Sequence, residues 1–339
     1  GDKPMRIASL TKIMTAIVAI EHGDLSDMVT VSANAAGKEG SSIYLKAGDT
    51  MSLHNLLYGL MLRSGNDAAT AIAEHVGGSL EGFVYLMNEK AQMIGLTGTQ
   101  FKNPHGLDEE GHYSTANDLA KLTAYALRNP VFQEIVKTKI KTAPSPDGNG
   151  AYYWYNKNKM LSIFDGADGV KTGYTKLAKR CLVSSATRNG QQLAAVTLND
   201  PDDWADHARL LRYGFERYPL SEIVRKGDRI AGTPFVVGKT FVYPLSEEER
   251  GTIRKEATVL SARSSGYAFG DRGTLTIFMG DRAIGTVPLY EENSPKLSMP
   301  DHTAFVYKES VSSETAEWFA FLRRLGATLV RLFTLTSDL

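Results

Sequence analysis

Apolar positions recur at helical spacing through residues 9–21, SLTKIMTAIVAIE, and the run stops near Gly23. This predicts a strongly apolar helix suited to a domain core. Residues 53–62 and 67–76 carry the same period and predict two helices joined at Ser64-Gly65-Asn66. A further helix is predicted from about Leu80 to Ile94, stopped by Gly95, and another over Thr115–Leu127, ended before Pro130. The pattern then changes. Residues 143–150, APSPDGNG, predict a loop, and Gly169–Tyr174 a short strand. Cys181–Thr187 and Gln192–Leu198 predict a hairpin around Arg188-Asn189-Gly190. Residues 203–217 return to helical spacing. After Pro219, residues 221–308 hold short β-rich runs separated by glycine, with a second hairpin signal at Gly280-Asp281.

These shifts place a boundary near residue 219. The reading is an α+β chain: a mixed domain over 1–219, a small β-rich domain over 220–309, and a tail over 310–339. In the tail, Trp318, Leu322, Leu325, Leu329 and Leu332 share one face of a helix, and Arg323, Arg324 and Arg331 lie opposite. An apolar face with aromatic anchors and a basic polar face is the pattern of a helix lying in a membrane surface.

Composition narrows the function. The 339 residues are 42% hydrophobic and 22% charged, which fits a folded chain and excludes wholesale disorder. Lys+Arg and Asp+Glu are both 38, so no chain-wide basic footprint for nucleic acid exists. The single cysteine, Cys181, excludes an internal disulfide and any multi-cysteine metal site. Cys181 lies on a predicted core strand and reads as packing. Residues 1–8 contain no apolar signal-peptide segment.

Three short motifs stand in order: Ser9-x-x-Lys12, Ser64-x-Asn66 and Lys171-Thr172-Gly173. On a helix, positions i and i+3 share a face, so Lys12 reaches the Ser9 hydroxyl. A serine is a weak nucleophile until a neighbouring base takes its proton, and a lysine serves only when its pKa falls. Lys171 offers a cation that lowers the pKa of Lys12 and attracts a carboxylate, and Thr172 can hydrogen-bond that carboxylate. Gly173 leaves room for close approach of a backbone along an edge strand. Each motif alone has an ordinary explanation: a capping serine, a helix cap at Asn66 or Asp67, an exposed strand lysine. The ordered triple, on a helix start, an interhelical loop and a strand, supplies the walls of a cleft.

With these motifs the chain resembles the serine-type D-alanyl-D-alanine carboxypeptidases, the low-molecular-mass penicillin-binding proteins. The segments Ala8–Thr15, Ser64–Ala68, Asn103–Asp108 and Asp168–Thr175 look like family segments. The resemblance implies a β-lactamase/transpeptidase-like catalytic domain, with helices around an antiparallel sheet, then a small all-β domain and a C-terminal amphipathic anchor. It implies an enzyme on the outer face of a bacterial membrane that removes the terminal D-Ala from peptidoglycan stem peptides and is acylated by β-lactams. Ser9 would be the nucleophile, Lys12 the base and Ser64 a proton relay. Asn66, Lys171, Thr172, Gly173 and Tyr174 would bind substrate, with backbone N–H groups of Ser9 and Tyr174 holding the oxyanion. No metal or cofactor is implied.

Two departures are expected to matter. Only eight residues precede Ser9, where the family places N-terminal strands, so the chain looks truncated there. Residues 200–206, DPDDWAD, hold no arginine where family members can carry one for the substrate carboxylate, which leaves Thr172, Lys171 or Arg209 for that work. His105 and His112 flank Leu107–Gly111 but lack the H-E-x-x-H spacing of a zinc site, and read as part of a structural loop. No G-x-S-x-G elbow occurs. The alternatives are a β-lactamase-type hydrolase, for which no convincing E-x-x-L-N segment is found, and a non-catalytic wall-associated scaffold.

Overall fold

The computed structural model of the chain describes residues 1–298 except 147 and 149. The predicted tail helix lies outside the described residues. The architecture is α+β.

Helix α1 (Lys12–His22) is the axis of the first region. Every residue from Lys12 to Ala19 is buried, and Gly23 ends it. Its first turn, Ala8–Thr11, is a tighter 3-10 turn. Around α1 pack α2 (Ala33–Ala36), α3 (Leu53–Tyr58), α4 (Asn66–Gly77), α5 (Leu80–Ile94), α6 (Ala116–Ala126) and α7 (Pro130–Lys137). Their ends follow from local chemistry. Ser79 caps α5 through Gly82 N–H, and Gly95 closes it in the left-handed region. Thr115 caps α6. Helix α7 was not predicted: Pro130, read as a stop, is its first residue, and Asn129 caps it through Val131 and Phe132 N–H. The predicted helix 53–62 is α3 followed by a wider π turn, Gly59–Arg63, which ends at left-handed Ser64.

Two small antiparallel pairs flank this bundle, β1 (Met28–Thr30) with β2 (Thr50–Ser52) and β3 (Ile140–Pro144) with β4 (Ala151–Tyr155). Neither was predicted. After α8 (Met160–Ile163), strands β5 (Ala167–Thr175), β6 (Lys179–Arg188) and β7 (Gln191–Leu198) form a three-stranded antiparallel sheet in that order. The β6–β7 turn is Asn189-Gly190, both at positive φ, as the sequence predicts. Strand β5 is an edge, and α9 (Asp203–Arg217) packs on β6 and β7.

Beyond Pro219 the described chain forms β8 (Leu220–Val224), β9 (Phe235–Val237), β10 (Phe241–Pro244), β11 (Ile253–Val259), β12 (Gly273–Met279) and β13 (Arg282–Glu291). Two single helical turns, Glu247–Arg250 and Ser265–Ala268, interrupt them. Strands β11-β12-β13-β9 make one antiparallel sheet, and β8 pairs with β10. This region has its own apolar cluster, centred on Val237, Leu275, Ile277 and Leu289. All described residues nevertheless fall in one compact unit. No described helix is long and apolar enough to cross a membrane.

Candidate active site

A cleft of about 310 Å³ opens between the 3-10 turn that carries Ser9, the Ser64 corner and the edge of β5. The three motifs therefore meet. Ser9, Ser64, Thr172, Gly173 and Tyr174 line it, and Lys12, Asn66 and Lys171 are buried at its base.

Lys12 is fully buried. Its Nζ lies 2.7 Å from Asn66 Oδ1, 2.6 Å from the His105 carbonyl and 3.0 Å from Ser9 Oγ. Burial first, then the positive charges of Lys171 and Lys157, holds its pKa well below the usual lysine range, against a smaller opposing pull from Asp67. A neutral amine has two N–H groups and one lone pair. Asn66 Oδ1 and the His105 carbonyl can only accept, so they take both N–H groups. The lone pair is left for the Ser9 O–H. In its neutral form the amine so held directs its lone pair at Ser9 Oγ.

Lys171 is also buried, donates to the Thr172 carbonyl at 2.8 Å, and is pulled down to about 7 by burial and by Lys157. Ser64 is held in the left-handed region. Its Oγ is buried with no hydrogen-bond partner among the described residues.

Gly173 lets β5 pack close to the Ser9 turn. A Cβ there would sit 3.1 Å from Ser9 N and 3.2 Å from the Ile7 carbonyl. The expected close approach is thus to the protein's own backbone. Gly106 does the same from below: at φ +85°, its Cβ would strike the Ala8 carbonyl. The segment from Asn103 to His112 cradles that turn. Thr15 Oγ1 donates to the Pro104 carbonyl at 2.6 Å, and Thr11 Oγ1 to the Ala8 carbonyl at 2.8 Å. His112 Nδ1 accepts Lys102 N–H, so Nε2 carries the proton and donates to Thr11 Oγ1 at 2.7 Å. Burial lowers His105 to about 3 and His112 to about 4, so both rings are neutral near pH 7. No metal-binding cluster occurs among the described residues.

Among the cleft residues that sequence reasoning missed are Lys157, Ser41 and Arg180. Lys157 Nζ donates to Ser41 Oγ at 3.3 Å, and its charge bears on both buried lysines. Nothing in the polar run Asn156–Lys159 marked it out. Ser41 comes from the loop before β2. Arg180, cross-strand from Tyr174, lines the cleft beside Asp203 and Trp204, with Nη2 2.5 Å from Asp203 Oδ1. Arg209, named from the sequence for the substrate carboxylate, instead pairs with Asp206, is 67% exposed and does not line the cleft. Cys181 lies against the cleft but is buried, with its thiol pushed up to about 11 by burial.

Residues 1–202 match the D-alanyl-D-alanine carboxypeptidase family, Peptidase S11. The chain belongs to this family. It is 36% identical over 252 residues to the D-alanyl-D-alanine carboxypeptidase DacF of Bacillus subtilis, covering 71% of this chain and 64% of that protein, just under two thirds of its length. It is 30% identical over 309 residues to DacD of Escherichia coli, covering 86% of this chain and 78% of that one. Among solved structures, DacD from Francisella tularensis superposes with a TM-score of 0.66 at 27% identity, over 85% of this chain and 87% of that one. The Streptomyces K15 DD-transpeptidase superposes at 0.61 with 35% identity, over 63% and 89%. Membership of the carboxypeptidase family explains why three individually common motifs converge on one cleft.

Proposed function

We propose that the chain is a serine-type D-Ala-D-Ala carboxypeptidase acting on peptidoglycan stem peptides through a Ser9 acyl-enzyme. The observation that carries the reading is the Lys12 geometry: a buried amine, its pKa held well below the usual lysine range by burial, fixed by two carbonyl oxygens 3.0 Å from Ser9 Oγ.

Ser9 Oγ attacks the carbonyl carbon of the penultimate D-Ala as its proton passes to Lys12. Backbone N–H groups of Ser9 and Tyr174 hold the oxyanion. The peptide C–N bond breaks, and the departing D-Ala amine takes the proton by way of Ser64, assisted by Lys171. Water then cleaves the ester, returning Ser9 and a peptide shortened by one residue. Lys171 and the Thr172 hydroxyl receive the substrate carboxylate. A β-lactam enters the same path and stays as the acyl-enzyme.

The wider organisation belongs to the same proposal. Residues 220–309 act as a small β domain that stands the cleft off from the membrane. The amphipathic tail 310–339 lies on the outer face of the bacterial membrane.

The test is release of D-alanine from a stem pentapeptide by the wild type and by Lys12→Ala. Release by the wild type alone supports the reading. Rapid turnover of penicillin with no D-alanine release favours the β-lactamase alternative. Deleting residues 315–339 should free the protein from membranes, and unchanged sedimentation with them removes the anchor.

A further inference from the structure

Left-handed backbone is costly for any residue with a Cβ. Six described non-glycine residues adopt it: Ala8, Tyr44, Ser64, Lys179, Asn189 and Asn199. Asparagine tolerates this region, and Lys179 opens β6 at an interstrand turn. Ala8 and Ser64 carry the reacting hydroxyls' backbone. Tyr44, at φ +65°, has no such account, and it is 81% exposed.

Its conformation is imposed. Asp67, fully buried beside Asn66, accepts Ile43 N–H at 3.0 Å, Leu45 N–H at 3.1 Å and the Ser42 hydroxyl at 2.5 Å. The backbone is thus fixed on both sides of Tyr44, whose own N–H donates to Ser42 Oγ at 2.8 Å. Ile43 and Leu45 are buried, so the ring is left facing solvent. The same loop is tied to the catalytic motif. Asn66 N–H donates to the Ser41 carbonyl at 2.6 Å, and Asn66 Nδ2 to the Glu39 carbonyl at 2.7 Å. Ser41 lines the cleft, and three residues span at most about 10 Å. An exposed aromatic residue alone is ordinary. One forced into a strained backbone by a buried carboxylate, within a few residues of a reactive cleft, is where strain marks function.

The two walls differ in chemistry. Strands β5 and β6 offer Lys171, the Thr172 hydroxyl and Arg180, which suit a carboxylate. Residues 39–45, EGSSIYL, offer hydroxyls, a ring and the Glu39 carboxylate, but no cation of their own. They suit the part of a peptide chain that lies away from its terminal carboxylate. We propose that Tyr44 is a specificity-determining residue that holds the stem peptide N-terminal to its D-Ala-D-Ala pair. This rests on the carboxypeptidase reading.

The experiment compares kcat/KM for a stem pentapeptide with kcat/KM for N-acetyl-D-Ala-D-Ala in wild type, Tyr44→Gly and Tyr44→Phe, alongside melting temperature and benzylpenicillin acylation. Glycine adopts the left-handed backbone freely, so Tyr44→Gly removes the ring and the strain together. The expected result is a fall of about tenfold in the pentapeptide-to-dipeptide ratio, with a melting temperature no lower than wild type and acylation by penicillin retained. Tyr44→Phe keeps the wild-type ratio. An unchanged ratio in Tyr44→Gly overturns the proposal. So does a joint loss of stability and penicillin acylation, which assigns the ring a structural role. A wild type that penicillin acylates but that cleaves neither peptide overturns the carboxypeptidase reading itself, and is distinct from both.

Discussion

The cleft and the strands beyond Pro219 treat charge in opposite ways. Around Ser9, two lysines are buried with no carboxylate bridging to either among the described residues, and two residues, Ala8 and Ser64, sit in left-handed backbone. Beyond Pro219, the charged side chains are at the surface and pair with one another, as in Arg229–Glu292, Arg272–Glu291 and Lys296–Asp271. There every described residue at positive φ is a glycine, such as Gly280 in the β12–β13 turn. Burying an unpaired cation costs several kcal/mol, and the usual escape is loss of the proton. In the cleft that escape is open to Lys12, whose pKa burial lowers, and it is what the proposed chemistry needs of a base. The strands have no such task, and their charges do what surface charges do.

The largest effect expected is in the first region. Lys12→Ala should cut the rate of acylation by penicillin by about 10³-fold or more, measured by single-turnover kinetics. Lys171→Met should cost about 10²-fold, yet leave the melting temperature no lower, because it removes a buried cation. In the wild type the acylation rate should decline above about pH 7 as Lys171 discharges, and in Lys171→Arg the decline should move to higher pH. A fall in stability parallel to the fall in rate would break the contrast.

The second region should respond the other way. Ile277→Ala, at a fully buried position of the β cluster, should lower stability by about 2–4 kcal/mol in denaturant unfolding while penicillin acylation at 25 °C is unchanged. A pH-gated effect returns to the first region. His112 and His207 are each lowered to about 4 by burial. The unfolded chain takes up these protons near pH 6.5 and the folded one resists until about pH 4. Their stabilising contribution is therefore complete above pH 6.5 and is lost as pH falls towards 4, by up to roughly 3 kcal/mol each. Residues 220–298 hold no histidine and add nothing to that loss. Smallest of all, Arg229→Ala should leave denaturant stability nearly unchanged, with any loss shrinking further at high salt, since both partners are exposed.

What the sequence made legible followed the same division of causes. Helix α5 was readable because its apolar period and its stop glycine, Gly95, act locally. The Asn189-Gly190 hairpin was readable for the same reason. Helix α7 was misread because proline both ends helices and begins them, and only the Asn129 cap decides between the two. The β3–β4 pair was hidden in Tyr152-Tyr153-Trp154-Tyr155, where every position is aromatic and no alternation marks the buried face. In the cleft, Ser9, Lys12, Ser64, Asn66 and Lys171 were legible as ordered motifs. Lys157, Ser41 and Arg180 were not, because their positions depend on which loop or strand folds against the motifs. The π turn before Ser64 and the strain at Tyr44 come from long-range contacts that no local pattern encodes.

The most direct test of an activated Ser9 is the intact mass of the protein after mixing with benzylpenicillin, beside Ser9→Ala. A stable adduct of one penicillin on the wild type and none on Ser9→Ala is the predicted result. An adduct on both, or no adduct and no penicillin turnover by the wild type, would contradict the claim that burial and two carbonyl oxygens turn Lys12 into the base for this serine.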